Sequence, residues 1–288
     1  MGGERRPTSF YVLLAVFVLF ILFLYGPIVT IVILSFQGPD GGLVFPMRGV
    51  SLHWFFELFR AQSIGDIGGA FRRSLVLGLV VMVLTVVFSY LAGLAFRRRF
   101  KGATLLFYIA IASLIMPSVV VSLGIGAGFE LLGLPRSWWG SALGAHLTWT
   151  LPFGLLIMFA VFNRFDPAYE EAARDQGASA WQTNRHVILP IVAPSLVGVA
   201  LFGFTLSYDE LARTSQAVGY ENTLPLELQA MQANATTPVI YALGTLTTGL
   251  SFLVIVTTIG AVLWLRRRRA RRVPTPAHDP DAIAVPAE

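Results

Sequence analysis

Six apolar runs restrict this chain more than any other feature: Phe10–Phe36, Ser74–Phe96, Thr104–Phe129, Ala142–Phe162, Pro194–Arg213 and Val239–Leu265. A hydrocarbon layer about 30 Å thick is crossed by roughly 20 apolar residues of helix, so each run reads as one membrane span. The third, fourth and fifth contain Pro or polar residues, which leaves their ends open by several positions. Hydrophobic residues make up 55% of the chain and charged residues 13%, against about 25% charged in an ordinary soluble domain. No water-soluble core buries that much apolar surface. The expectation is an all-α polytopic membrane protein: a short segment 1–9, one six-helix domain over 10–265, and a basic tail 266–288. The first run follows "MGGERRPTS" but is longer than the roughly 7–15 apolar residues of a signal peptide, and no small-residue cleavage site follows it. It reads as an uncleaved helix.

Arginine placement sets the expected orientation. Arg5, Arg6, the run Arg97–Lys101, Arg164, Arg174, Arg185 and the cluster Arg266–Arg272 fall on one side of the spans. Arg48, Arg60, Arg136 and Arg213 fall on the other, with Arg72 and Arg73 at the mouth of the second span and against the trend. An excess of basic residues marks the cytoplasmic side, which places both termini there. Arginine beside apolar runs is a topology signal rather than a nucleic-acid surface. The absence of cysteine excludes disulfides, zinc–thiolate sites and thiol catalysis. His53, His146, His186 and His278 have no metal-ligand spacing, and no G-x-x-x-x-G-K-[ST] phosphate loop is present. An enzyme is disfavoured.

Outside the spans, "SLHWFFELFR" puts Leu52, Phe55, Phe56 and Phe59 on one helical face, with Trp54 nearby. Such a helix lies at the outer interface or packs on the bundle. The tail "VPTPAHDPDAIAVPAE" is rich in Pro and Ala and is expected to be disordered.

A polar island, residues 163–193, interrupts the apolar pattern on the expected cytoplasmic side, and its core reads "EEAARDQGASAWQTNRHVILP". Asp166-Pro167 is a helix start, and Glu170 and Arg174 are spaced as a favourable pair. Gly177 supplies the left-handed stop, and Ser179 with Gln182 has capping-box spacing. Pro190 is expected to break the chain before Pro194 opens the next span. The predicted product is two short helices held rigidly between spans. It is either a plain connection or a docking site, and its length and small residues favour docking.

The island resembles the EAA loop of binding-protein-dependent ABC importer permeases. The family's pattern is E-A-A, three residues, G, nine residues, I, one residue, L-P. Here it is met by Glu171, Ala172, Ala173, Gly177, Leu189 and Pro190, with Val187 where isoleucine is usual. The likeness extends from about Ser74 to Leu265. It includes "RRSLVLGLVVMVLTVVFSYLAGLAFRR" and the stretch Thr223–Leu246, whose T-L-P-L element, Met231 and Pro238–Leu246 are similar to the second permease of spermidine/putrescine importers. The resemblance implies a type I importer permease fold in a bacterial inner membrane. It also implies a second permease subunit, an extracytoplasmic solute-binding protein, and two ATPase subunits that carry ATP and Mg. This chain would then hold no cofactor. Glu170, Glu171, Ala172, Ala173, Gly177, Leu189 and Pro190 would form the ATPase-coupling surface.

The expected substrate path starts from "FTLSYDELART". Counting from Pro194 at about 1.5 Å per residue puts Asp209 and Glu210 roughly 22–24 Å up the fifth helix. A carboxylate there faces a water-filled path or pairs with a partner such as Arg213. Ser207, Tyr208, Glu130 and Trp149 are further path candidates; Tyr208 and Trp149 serve either as cation–π contacts or as interfacial anchors. Pro117 and Pro152 predict kinks. The leading expectation is a polyamine importer permease. Iron, thiamine, phosphonate or amine importers share much of this core. A stand-alone secondary transporter or channel, and a membrane scaffold, are readings of other classes.

Overall fold

An apolar helix in lipid satisfies its backbone within itself, so each run forms independently and packing then selects its neighbours. The structure, a computed structural model, describes residues 7–43, 45–60, 65–98, 100–234 and 238–270. In order, the helices are α1 Thr8–Leu34, α2 His53–Arg60, α3 Ile67–Phe96, α4 Ala103–Ile115, α5 Ser118–Leu131 and α6 Leu143–Asn163. They continue with α7 Ala168–Asp175, α8 Ala180–Thr183, α9 Leu189–Tyr208, α10 Leu224–Asn234 and α11 Val239–Ala270. π-helical turns at Trp138–Ala142 and Asn184–Ile188 lead into α6 and α9. Among the described residues five helical stretches are long and apolar enough to cross a membrane; α4 and α5, bent by 110°, bring the number to six if they count as one span.

The centre is the triplet α3, α6 and α9. Small residues let these backbones approach: a Cβ on Gly93 would lie 2.7 Å from the Phe162 ring. Two apolar cores occupy the two ends of the triplet. At the end bearing α7, the loop end, Tyr90, Met158, Phe162, Ile188, Val192 and Val199 pack together. At the far end, Leu58, Ile67, Phe204, Tyr208, Leu224 and Leu243 do so. α1 packs against α11 and exposes apolar side chains on all sides, as a lipid-facing helix does.

The structure redraws several expected boundaries. The second span begins at Ile67, so Arg72 and Arg73 lie inside α3 rather than at its mouth. The third run is broken, not kinked: Met116, held extended by the proline that follows it, separates α4 from α5. Pro152 does not end α6, because the Thr148 carbonyl that loses its donor lies 2.7 Å from the Ser113 hydroxyl. Pro190 is no break either. It sits in the first turn of α9, and the π-helical turn joins α8 to α9 without interruption. At its other end α9 stops at Tyr208, so Asp209, Glu210 and Arg213 lie beyond the helix. α10 is an additional helix. α11 continues to Ala270, and the disorder expected of the remaining tail falls on residues 271–288, outside the described ones. α2 packs on α3 and α11 through Leu58 and half-buried Trp54, whereas Leu52 and Phe56 are exposed.

Candidate functional site

Two polar regions stand out against the apolar bundle. The first is the island at the loop end. Asp166 Oδ1 accepts from the Ala168 N–H at 2.9 Å and starts α7. Gly177 stops it at φ +81°, with Gly177 N–H on the Arg174 carbonyl and Ala178 N–H on the Ala173 carbonyl. Ser179 and Gln182 then form a complete capping box.

What fixes α7 to the bundle is Glu170. Its carboxylate pairs with Arg97 at the end of α3 and with Arg174 at 3.4 Å. Arg97 also lies over the rings of Phe162 and Phe165, 5.1 and 4.8 Å from their centroids. Tyr90 of α3 donates a hydrogen bond to Asn184 Oδ1 and ties down the π-helical turn. One face of α7 is thus clamped, and Glu171 and Ala172 remain exposed on another, with Ala173 half-buried. Leu189 and half-buried Pro190 sit at the start of α9. Exposed Tyr169 and Trp181 add aromatic surface that motif spacing does not select. Arg97 was legible only as a topology charge.

The second region is the far-end loop after α9. Arg213 is fully buried. Its guanidinium donates to Thr148 Oγ1 at 2.7 Å and to the Ser113 carbonyl at 3.4 Å, and lies 4.8 Å over the Trp149 ring. The Arg213 carbonyl accepts from Ser122 at 2.5 Å, so the loop is held to both halves of the broken span. Beside it, buried His146 bridges Ser207 Oγ at 2.7 Å and Thr214 Oγ1 at 2.8 Å. At the start of α3, the Gly69 N–H and the Arg73 guanidinium hold the Asp66 carboxyl below the usual carboxylate range. Arg73 also donates to the Asn222 carbonyl at 2.8 Å, tying the same loop to α3.

The expected path residues have separate fates. Ser207 and Trp149 join the Arg213–His146 network, and the Trp149 face expected to hold an ammonium group holds Arg213 instead. Glu210 accepts from the Arg213 backbone N–H at 2.8 Å rather than from the guanidinium. Glu130 pairs with Arg136 at 2.8 Å. Tyr208 stacks on Phe204 in the far-end core, 5.5 Å between centroids, and its buried hydroxyl has no partner among the described residues. Asp209 alone presents an exposed carboxylate with no hydrogen bond or ion pair among the described residues. His146, Ser113, Ser122, Thr148 and Thr214 were missed. For the first four the signal is polarity within apolar runs, and Thr214 lies one residue past the fifth run.

Comparison with known proteins places this architecture. The family model described as "Binding-protein-dependent transport system inner membrane component" matches residues 85–271. The spermidine/putrescine transport system permease protein PotC of Haemophilus influenzae is 31% identical over 236 residues, covering 81% of this chain and 90% of that protein. The putrescine transport system permease protein PotI of Escherichia coli is 28% identical over 282 residues, 93% of each. A crystal structure of a bacterial ABC transporter that imports the acidic polysaccharide alginate has a chain of the same fold, with a TM-score of 0.63 at 15% identity. The match covers 93% of this chain and 96% of that one. The chain therefore belongs to the family of inner membrane components of binding-protein-dependent transport systems, the multi-pass permeases of ABC importers.

Proposed function

We propose that this permease couples ATP hydrolysis on two separate cytoplasmic ATPase subunits to import of a polyamine. It would work beside a second permease subunit and receive its solute from an extracytoplasmic binding protein. Both termini and the island would lie in the cytoplasm, in keeping with the arginine distribution and with six spans when α4 and α5 count as one. The observation that carries the reading is the exposed Glu171–Ala172 face of α7, presented by a helix whose opposite edge is clamped to α3 through Glu170 and Arg97. A push on α7 would be passed to α3 through that pair.

For the solute, the named substrates of PotC and PotI support a polyamine. So does the unpartnered Asp209 carboxylate, the charge that a polyammonium solute requires along its route. Among the described residues no carboxylate contacts the guanidinium of buried Arg213, which is enclosed by Trp149, Thr148 and Ser113.

The test is reconstitution of the permease with its ATPase. A Glu171→Arg variant is expected to lower transport-coupled ATP hydrolysis about tenfold, the effect of ~1.4 kcal/mol of lost docking free energy. Melting temperature should stay unchanged, because the exposed Glu171 side chain makes no hydrogen bond or ion pair among the described residues. Undiminished coupling in that variant and in Ala172→Glu would remove α7 as the coupling element.

A further inference from the structure

A cavity of about 670 Å³ lies between the end of α3 and the edge of α7 that carries Glu170 and Arg174. It is separate from the exposed Glu171–Ala172 face. Its charged lining is three guanidiniums, Arg97, Arg98 and Arg174, against the single carboxylate of Glu170, a net excess of positive charge. Glu170 is shared by Arg97 and Arg174. The Arg98 guanidinium makes no hydrogen bond or ion pair among the described residues. Thr183 also lines the cavity; it is 2% exposed, and its buried hydroxyl has no partner among the described residues. Asn184 contributes an amide whose oxygen is already taken by Tyr90, which leaves its N–H groups as donors.

The lining is thus rich in donors and poor in acceptors. That chemistry fits a compact anion with several oxygens, and a phosphate ester has both the charge and the acceptor count. The position narrows the source. The apolar part of α3 ends at Phe96, and Leu94 and Phe100 line the same cavity as the guanidiniums. A site with arginines on one side and apolar side chains on the other, where a span leaves the hydrocarbon, matches a lipid headgroup and the first carbons below it.

We propose that this cavity binds the phosphate of an anionic phospholipid, with Arg98 and Thr183 as contacts that the fold does not otherwise use. The lipid would join α3 to α8 and stiffen the joint through which α7 is held. The proposal requires only that the loop end lies at a bilayer surface and does not depend on α7 docking an ATPase.

The experiment uses the full chain in its purified complex, with retained lipid read by native mass spectrometry after exposure to phosphatidylglycerol or phosphatidylcholine. The wild type is expected to retain phosphatidylglycerol preferentially. Arg98→Gln should reduce that retention about fivefold, the worth of one arginine near an anionic surface. Thr183→Val should reduce it about two- to threefold, as loss of one hydrogen bond does. Phosphatidylcholine retention should be unaffected by either. A large excess of inorganic phosphate should leave the lipid bound. Equal retention of the two lipids, or phosphatidylglycerol retention untouched by both variants, overturns the proposal. Displacement by inorganic phosphate overturns the lipid as the source of the anion. Arg98 is exposed and makes no hydrogen bond or ion pair among the described residues, so its variant is expected to fold and the comparison stands even if Thr183→Val does not.

Discussion

The residue under the greatest physical constraint is Arg213, whose guanidinium has left water for contacts with Thr148, Ser113 and the Trp149 face. Burying a charge costs several kcal/mol, and its hydrogen bonds and ring contact recover that cost only through the planar geometry of this group. Lysine at this position keeps the charge but loses the flat stacking surface and the forked donors. Arg213→Lys is therefore expected to destabilise by about 2–3 kcal/mol, and Arg213→Met, which removes charge and desolvation together, by about 1 kcal/mol. Melting curves in detergent give the order; methionine worse than lysine would show that the charge itself is required. Asp209 behaves in the opposite way. Its carboxylate supports nothing in the fold, so Asp209→Asn should change stability by less than about 0.5 kcal/mol. Polyamine uptake by the reconstituted importer should nevertheless fall severalfold, and unchanged uptake would end the carboxylate's role. The two cases also show what a sequence reveals at this scale. Asp209 is legible as a charge at the edge of an apolar run. The role of Arg213 is not, because its partners are 65 and 100 residues away.

The elements divide along the same line between local and distant causes. The island was legible nearly turn by turn: Asp166, Gly177, Ser179 and Gln182 act on backbone groups within a few residues of themselves, and local chemistry decides such starts and stops. The prolines were not. Pro117 ends a helix, whereas Pro152 sits inside one and Pro190 opens one. Each proline leaves free the carbonyl four residues before it, and the groups around that carbonyl come from distant parts of the chain. For Pro152 that group is Thr148, and the Ser113 hydroxyl of α4 lies 2.7 Å from its carbonyl and 2.8 Å from that of Ala110. A double-mutant cycle isolates the tertiary part. Ser113→Ala should cost about 1 kcal/mol in the parent chain. In a Pro152→Ala background it should cost markedly less, because the restored N–H of residue 152 serves Thr148 directly. Equal costs in both backgrounds would mean that the hydroxyl serves only its own helix.

For the whole molecule, the question is how displacement at one end reaches the other. α3 is the continuous element: it joins the Arg97 clamp at the loop end to the Asp66–Arg73–Asn222 tie at the far end, and it packs on both α6 and α9 throughout. Helices this closely packed move as units rather than bend, so under the proposed function the joint between α7 and α3 would set how much motion is transmitted. That joint is the pair Arg97–Glu170, with side chains only 22% and 13% exposed. A partly buried pair of this kind couples by about 1–3 kcal/mol in a mutant cycle. Arg97→Met and Glu170→Gln are each expected to leave the complex assembled and ATP hydrolysis running, while lowering the solute imported per ATP consumed. The swap Arg97→Glu with Glu170→Arg should recover part of that ratio through the reversed pair. Full recovery is not expected, because a glutamate at position 97 cannot replace the guanidinium over Phe162 and Phe165. If the single variants keep the parent ratio of solute to ATP, the clamp does not carry the motion, and the link must run through the Tyr90–Asn184 contact between α3 and the π-helical turn.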